Sequence, residues 1–182
     1  ASHAEQERFF GHITLSPSID HLERAYDDAK YGRISKALAM EMVIPTLLDP
    51  SLAPDGQHIL SIDVRYAPYK LREGSWEGEK EHLLENTVSQ LSAHFPDIDA
   101  CVLHSQAITP LEYERDLGLT EGSLYHGQMG LDQLLFMRPI PGHADYRAPV
   151  GNLYLCGSGT HPGGGVTGLP GRNAARQILK KN

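Results

Sequence analysis

Near its end the chain carries a segment dense in glycine: Gly157-Ser158-Gly159-Thr160-His161-Pro162-Gly163-Gly164-Gly165-Val166-Thr167-Gly168. Asn152-Leu153-Tyr154-Leu155-Cys156, an apolar stretch of strand length, precedes it, and Leu169 to Leu179 follows with the composition of a helix. Strand, glycine turn and helix in that order build a phosphate or cofactor site. Glycine lets the backbone approach a ligand and adopt positive φ, while the first N–H groups of the helix point outward with the positive end of its dipole. A plain structural turn is the competing reading of the same residues.

Other chemistries fit this stretch less well. Gly163-Gly164-Gly165-Val166-Thr167-Gly168 matches G-x-G-x-x-G, but only 14 residues follow Gly168 and none is acidic, so it does not open a dinucleotide-binding βαβ unit. No Lys-Ser or Lys-Thr follows the glycines, which excludes a P-loop. Ser158 with nearby His161 lacks the G-x-S-x-G context of a hydrolase nucleophile, and neighbours in sequence seldom meet in triad geometry. Ten histidines raise the question of a metal, yet no His-x-x-x-His pair with a carboxylate occurs at the usual spacing, and no metal site is expected.

Several separate stretches carry a resemblance. Gly122-Ser123-Leu124-Tyr125-His126-Gly127-Gln128-Met129, Leu131-Asp132-Gln133-Leu134, Met137-Arg138-Pro139 and Leu153 to Ala175 resemble the carboxyl-terminal part of phytoene desaturase-like FAD-dependent oxidoreductases. The likeness continues upstream through Ala25 to Gly32, Ile44 to Pro50 and Tyr66-Ala67-Pro68-Tyr69, and so spans nearly the whole chain. The resemblance implies FAD as cofactor and an apolar, isoprenoid-like small-molecule substrate that gives up a hydride. It also implies that the glycine-rich turn holding the ADP part of FAD belongs to a preceding amino-terminal part of the same flavoprotein, which becomes the expected partner. The chain is then a fragment, inactive by itself.

On that reading Gly157 and Ser158 resemble the family's ribityl and pyrophosphate contacts. Gly164 and Gly165 permit close approach, and the N–H groups near Val166 and Thr167 face the flavin, where negative charge develops on reduction. Gly157-Ser158-Gly159 offers a serine hydroxyl where the family often has an acid or other polar residue. His126 is the candidate cleft residue from the returning segment, with a hydrogen-bonded structural histidine as its alternative. No catalytic acid or base stands out.

Composition sets outer bounds. At 182 residues and 40% apolar content the chain can form one sizeable core or two small ones. A net charge of −7 with scattered Lys and Arg argues against nucleic-acid binding. Cys101 and Cys156 form no C-x-x-C, as suits thiols in the cytoplasm or another reducing compartment, where a peripheral membrane location is also open. No apolar run is long enough to span a bilayer, and the first residues do not read as a signal peptide.

The elements that must position the site are expected as follows. His12 to Leu15 reads as a strand, and Ser18 caps a helix with Ile19, Leu22, Ala25, Tyr26 and Ala29 on one face and Gly32 at its end. Leu38 to Ile44 reads as a strand with Met40, Met42 and Ile44 on one face, closed by Pro45. Ile59 to Tyr66 alternates apolar and polar residues, leaving Asp63 and Arg65 to a cleft, solvent or a cross-strand pair. Trp76 falls in a loop before a helix over Glu79 to Phe95. Ala100 to Ile108 is strand-like, Thr109-Pro110-Leu111-Glu112 starts a helix with Tyr113 and Leu117 inward, and Leu131 to Met137 is a short helix.

The resulting expectation is an α+β chain. Residues 1–122 form a substrate-type portion on a largely antiparallel sheet, and residues 123–182 form the carboxyl-terminal portion of a Rossmann-like FAD domain. A non-catalytic ligand-binding or interaction module that kept this fold is the alternative function. A strand deprived of its neighbours would expose an edge, and with it a route to self-association.

Overall fold

A computed structural model describes residues 9–126 and 129–180 and shows an α+β fold. Gly127 and Gln128 of the motif quoted above lie outside the described residues, as do residues 1–8. The chain forms two compact units, one up to Thr109 and one from Pro110. The change of character read from the sequence at Gly122 falls inside the second.

In the first unit β1 (Ile13–Leu15), β2 (Ala39–Val43) and β3 (Ser61–Arg65) make an antiparallel sheet in the order β1-β2-β3. Leu15 pairs with Met40, and Met42 with Ile62. As the alternation predicts, Met40 and Met42 are both buried, with Leu38 and Ala39 beside them in the core. Ile44 falls outside β2, at the entry to a 3-10 turn over Pro45–Leu47.

The polar face of β3 resolves as a charge network. Glu41 and Asp63 stand opposite each other in the register, an unfavourable pairing of like charges. Arg65 offsets it: its Nη2 lies 2.6 Å from Glu41 Oε2 and its Nε 3.1 Å from Asp63 Oδ2.

Helix α1 (Ile19–Lys30) starts where expected, Ser18 Oγ accepting the His21 amide at 3.1 Å. Its apolar face is less buried than the spacing predicts. Ala25 is buried, but Ile19 is exposed and Tyr26 half-exposed, its ring edge-on to Tyr66 with centroids 5.6 Å apart. Gly32 takes φ +74 after the helix, and a Cβ there would stand 3.0 Å from the Arg72 amide nitrogen.

Helix α2 (Trp76–Ser92) begins at Trp76 rather than Glu79, so the tryptophan expected in a loop is the first helical residue. It is buried, and its Nε1–H donates to the carbonyls of Pro68 at 3.1 Å and Tyr69 at 3.3 Å. Thr87 and Leu91 point into the core. Gln90 ties α2 to the segment before β2, accepting the Leu38 amide at 3.0 Å and donating to the Lys36 carbonyl at 2.9 Å.

The strand expected over Ala100 to Ile108 is absent. Ile98–Cys101 forms a single-turn helix, α3, after which no regular element occurs before Pro110. Val102, Leu103 and Ile108 are exposed. Strand propensity is expressed only where a neighbouring ladder takes the backbone N–H and C=O groups, and among the described residues none lies alongside.

The second unit contains α4 (Pro110–Leu117) and α5 (Leu169–Leu179). Leu117, expected inward, is exposed. Leu131 to Met137 resolves as two 3-10 turns, Leu131–Gln133 and Leu135–Met137, separated at Leu134, whose backbone is extended. The strand expected over Asn152 to Cys156 is reduced to an isolated antiparallel bridge between Arg147 and Tyr154. Ala148 N–H donates to the Leu153 carbonyl and Leu155 N–H to the Tyr146 carbonyl, while Leu153 and Leu155 stay exposed. One short hairpin contact cannot satisfy both edges of an apolar strand, so no ladder propagates.

Candidate functional site

The glycine segment borders an open cleft of about 540 Å³, lined in part by Tyr125, Ser158, Gly165, Val166 and Gly168. Its size falls within the roughly 300–1,000 Å³ of small-molecule pockets. Gly163 and Gly165 adopt φ of +103 and +102, values that a Cβ would strain.

Hydrogen bonds behind the cleft fix the loop's path. Buried Thr160 turns back on Gly157, its amide at 3.0 Å and its Oγ1 at 2.9 Å from the Gly157 carbonyl. Gly163 N–H then donates to the Thr160 carbonyl at 2.7 Å. Tyr146 Oη donates to the His161 carbonyl, joining the loop to the hairpin segment. The loop is thus held by its own main chain, with Gly157, Gly159 and Gly168 open to space and Gly163 and Gly164 packed against Met129 and Tyr125.

Gly157, Ser158, Gly165 and Val166 all line the cleft. Gly164 sits beneath its rim: a Cβ there would lie 2.9 Å from Tyr125 Cδ1 and 3.3 Å from Tyr125 Cα, so only glycine allows that aromatic to close over the loop. Thr167 turns its Oγ1 to the Leu169 amide at 3.3 Å, capping α5. His126 lies one residue beyond the lining pair Leu124 and Tyr125, exposed, with φ +56.

The first turn of α5 offers fewer free amides than the sequence suggests. The Leu169 amide is taken by Thr167, and Pro170 has none. Among the described residues no hydrogen bond ends on the amides of Val166 or Thr167, and Val166 is fully exposed. The donors without a partner in hydrogen bonds to described residues therefore include those of Val166 and Thr167 in the loop and of Gly171 in the first turn, which also lines the cleft.

Arg138 stands in one of the stretches that carry the resemblance, Met137-Arg138-Pro139, but the motif assigns it no role. It is 2% exposed, and its guanidinium reaches three main-chain carbonyls. Nε and Nη2 donate to Ser158 at 3.2 and 2.8 Å, and Nη2 also reaches His126 at 3.1 Å and Tyr125 at 3.4 Å. The signal available in the sequence was an arginine inside an apolar, proline-bounded run, Leu134 to Pro139, but its partners are carbonyls and carry no sequence signature.

A flat, electron-accepting cofactor with carbonyl acceptors fits these residues. The glycines at 157, 165 and 168 would admit a ring or chain to the main chain, the Val166 amide would be a donor, and the apolar Leu124, Tyr125 and Val166 would be walls, while Thr167 does not line the cleft. Among the described residues no group of three His, Cys, Asp or Glu is placed to hold a metal ion. No described helix is long and apolar enough to cross a membrane.

No protein-family model matches the chain. Matches to individual proteins define its class: the chain corresponds to the carboxyl-terminal portion of phytoene-desaturase-like oxidoreductases. One relative is pyridine nucleotide-disulfide oxidoreductase domain-containing protein 2 of Rattus norvegicus, 46% identical over 161 residues, which are 87% of the chain and 28% of the relative. A limonene dehydrogenase subunit of Castellaniella defragrans is 29% identical over 74% of the chain and 26% of its own length. The neurosporene-forming phytoene desaturase of Cereibacter sphaeroides is 28% identical over 88% of the chain and 30% of its own length. The chain thus spans under a third of each of these relatives.

Proposed function

We propose that the chain forms part of an FAD-dependent oxidoreductase that removes a hydride from an apolar, isoprenoid-like substrate. The observation that carries this is the cleft itself, in which the glycine loop, the start of α5 and the Leu124-Tyr125 wall converge in a chain similar to phytoene desaturases. When bound, a flavin supplies the two-electron acceptor. Gly157 and Ser158 would contact its ribityl or pyrophosphate part, and the amides of Val166 and Thr167 would donate to its electron-rich edge. Main-chain donors aimed at a site before charge develops there cost little reorganisation.

The remainder of the cofactor site is assigned to an amino-terminal part of the same flavoprotein. Exposed Leu153 and Leu155 with no ladder beside them, and the exposed Leu135 and Phe136, are the surfaces that part would cover. A limonene dehydrogenase and phytoene desaturases among the relatives support an apolar substrate. On this reading residues 123–182 are the carboxyl-terminal portion of a Rossmann-like FAD domain, and the sheet of the first unit belongs to the substrate portion.

The test is FAD titration of the chain with and without the amino-terminal part supplied separately, followed by absorbance near 450 nm. Stoichiometric flavin uptake only in the presence of both is expected. No uptake under either condition removes the proposal in favour of a non-catalytic binding module.

A further inference from the structure

We propose that Arg138 is a positioning residue for the cleft, fixing the spacing of two of its lining segments and placing a positive potential behind the ligand; this rests on the cofactor reading above. Its guanidinium joins the carbonyls of Tyr125 and His126 to that of Ser158. Both segments line the cleft, through Leu124 and Tyr125 on one side and Cys156, Gly157 and Ser158 on the other. Without this link the two segments have separate paths: one follows α4 and the other leads into α5.

A neutral amide would serve as a mechanical link, yet the chain buries a cation. Burying a guanidinium costs several kcal/mol unless its charge is compensated. Among the described residues every hydrogen bond of Arg138 ends on a main-chain carbonyl and none on a carboxylate. Carbonyl dipoles stabilise the charge without cancelling it, so a net positive field remains at the Ser158 end of the cleft. That field favours an occupant that gains negative charge, as a flavin does on reduction. The planar fork of arginine spans carbonyls from two segments at once, which the point charge of lysine cannot reproduce.

The two roles separate in Arg138→Lys, which keeps the charge and loses the fork, and Arg138→Met, which loses both. The protein in its full natural length is compared in three measurements: amide hydrogen exchange over residues 124–126 and 157–160 against α5 as internal reference, FAD affinity, and the midpoint potential of bound FAD. Both variants are expected to exchange about tenfold faster at those residues and to bind FAD about tenfold more weakly. Arg138→Lys should keep the parental potential. In Arg138→Met the potential should fall, the reduced cofactor being held about tenfold less tightly relative to the oxidised one.

Parental exchange in both variants overturns the link, and an unchanged potential in Arg138→Met overturns the field. If Arg138→Met fails to fold while Arg138→Lys is parental throughout, Arg138 is a generic folding residue and the proposal is lost. A parent that takes up no FAD sinks the cofactor reading and with it the field. Exchange rates in the three proteins still decide the link.

Discussion

Tyr146 and Asn173 meet at 2.8 Å, the asparagine Nδ2–H donating to the phenol oxygen while the phenol donates onward to the His161 carbonyl at 3.0 Å. One hydroxyl thereby couples α5 to the loop that leads into the glycines. Tyr146→Phe removes both bonds and leaves the partly buried His161 carbonyl without its donor. The expected cost is about 1–2 kcal/mol. Chemical denaturation should show it; a stability equal to the parent's would mean that solvent already satisfies these groups.

Two glycine substitutions should part company. Gly157→Ala places a Cβ in open space, so folding stability should stay within about 0.5 kcal/mol of the parent. Because that Cβ enters the cleft lining, FAD affinity of the full-length protein should nevertheless drop. Gly164→Ala drives a Cβ to 2.9 Å from Tyr125 and should destabilise by about 1–3 kcal/mol. Thermal melts beside flavin titrations make the comparison, and equal behaviour of the two variants would count against the loop geometry.

Trp76 is the sole tryptophan, so its fluorescence reports on one place. Buried at the start of α2 with both Pro68 and Tyr69 accepting from its ring N–H, it should emit at short wavelength and resist quenching by iodide. Trp76→Ala should cost about 3–5 kcal/mol through the cavity. Trp76→Phe, which keeps most of the volume and loses the donor, should cost about 1–3 kcal/mol. A red-shifted, freely quenched emission in the native protein would contradict this placement.

The Ser51 hydroxyl beside Asp49, and secondarily the Ser51 amide, hold the Asp49 carboxyl below the ordinary aspartate value. A depressed folded-state pKa stabilises the fold above the unfolded-state value of about 3.9, and that contribution disappears as pH falls through the folded-state pKa. Ser51→Ala should therefore move the Asp49 titration upward, as followed by carboxyl-carbon NMR between about pH 2 and 6. Identical titration curves in the two proteins would show that the hydroxyl is not the cause.

The exposed Leu135, Phe136, Leu153 and Leu155 predict concentration-dependent self-association of the isolated chain. Sedimentation velocity should show it, and addition of the amino-terminal part should suppress it. A monomer at all concentrations would argue that these side chains have no partner surface to seek.

Much of the first unit was legible because its signals are local. Ser18 as a cap, Pro45 as a stop and the methionine alternation of β2, like the Pro110 helix start in the second unit, each depend on a few adjacent residues whose preferences the surroundings leave intact. The errors fall where an element needs a partner. Ala100 to Ile108 and Leu153 to Cys156 have strand composition, but a strand exists only beside another, and no described neighbour takes up their backbone groups. Gly74 and Gly78 around Trp76 read as loop, whereas the helix starts at Trp76 with its indole N–H donating to the carbonyls of Pro68 and Tyr69.

The residue types alone determined that the chain's end is a main-chain-rich, glycine-lined turn ahead of a helix, since only glycine tolerates such backbone and no other motif competes for it. Tertiary structure decided which of those residues face the cleft, that Thr167 spends its hydroxyl on the helix start, and that Arg138 binds two lining segments together. Spacing along a chain encodes helices and turns, whereas carbonyl acceptors are present at every residue. The partners of a guanidinium that recognises main chain therefore leave no trace in sequence until the fold brings those carbonyls to it.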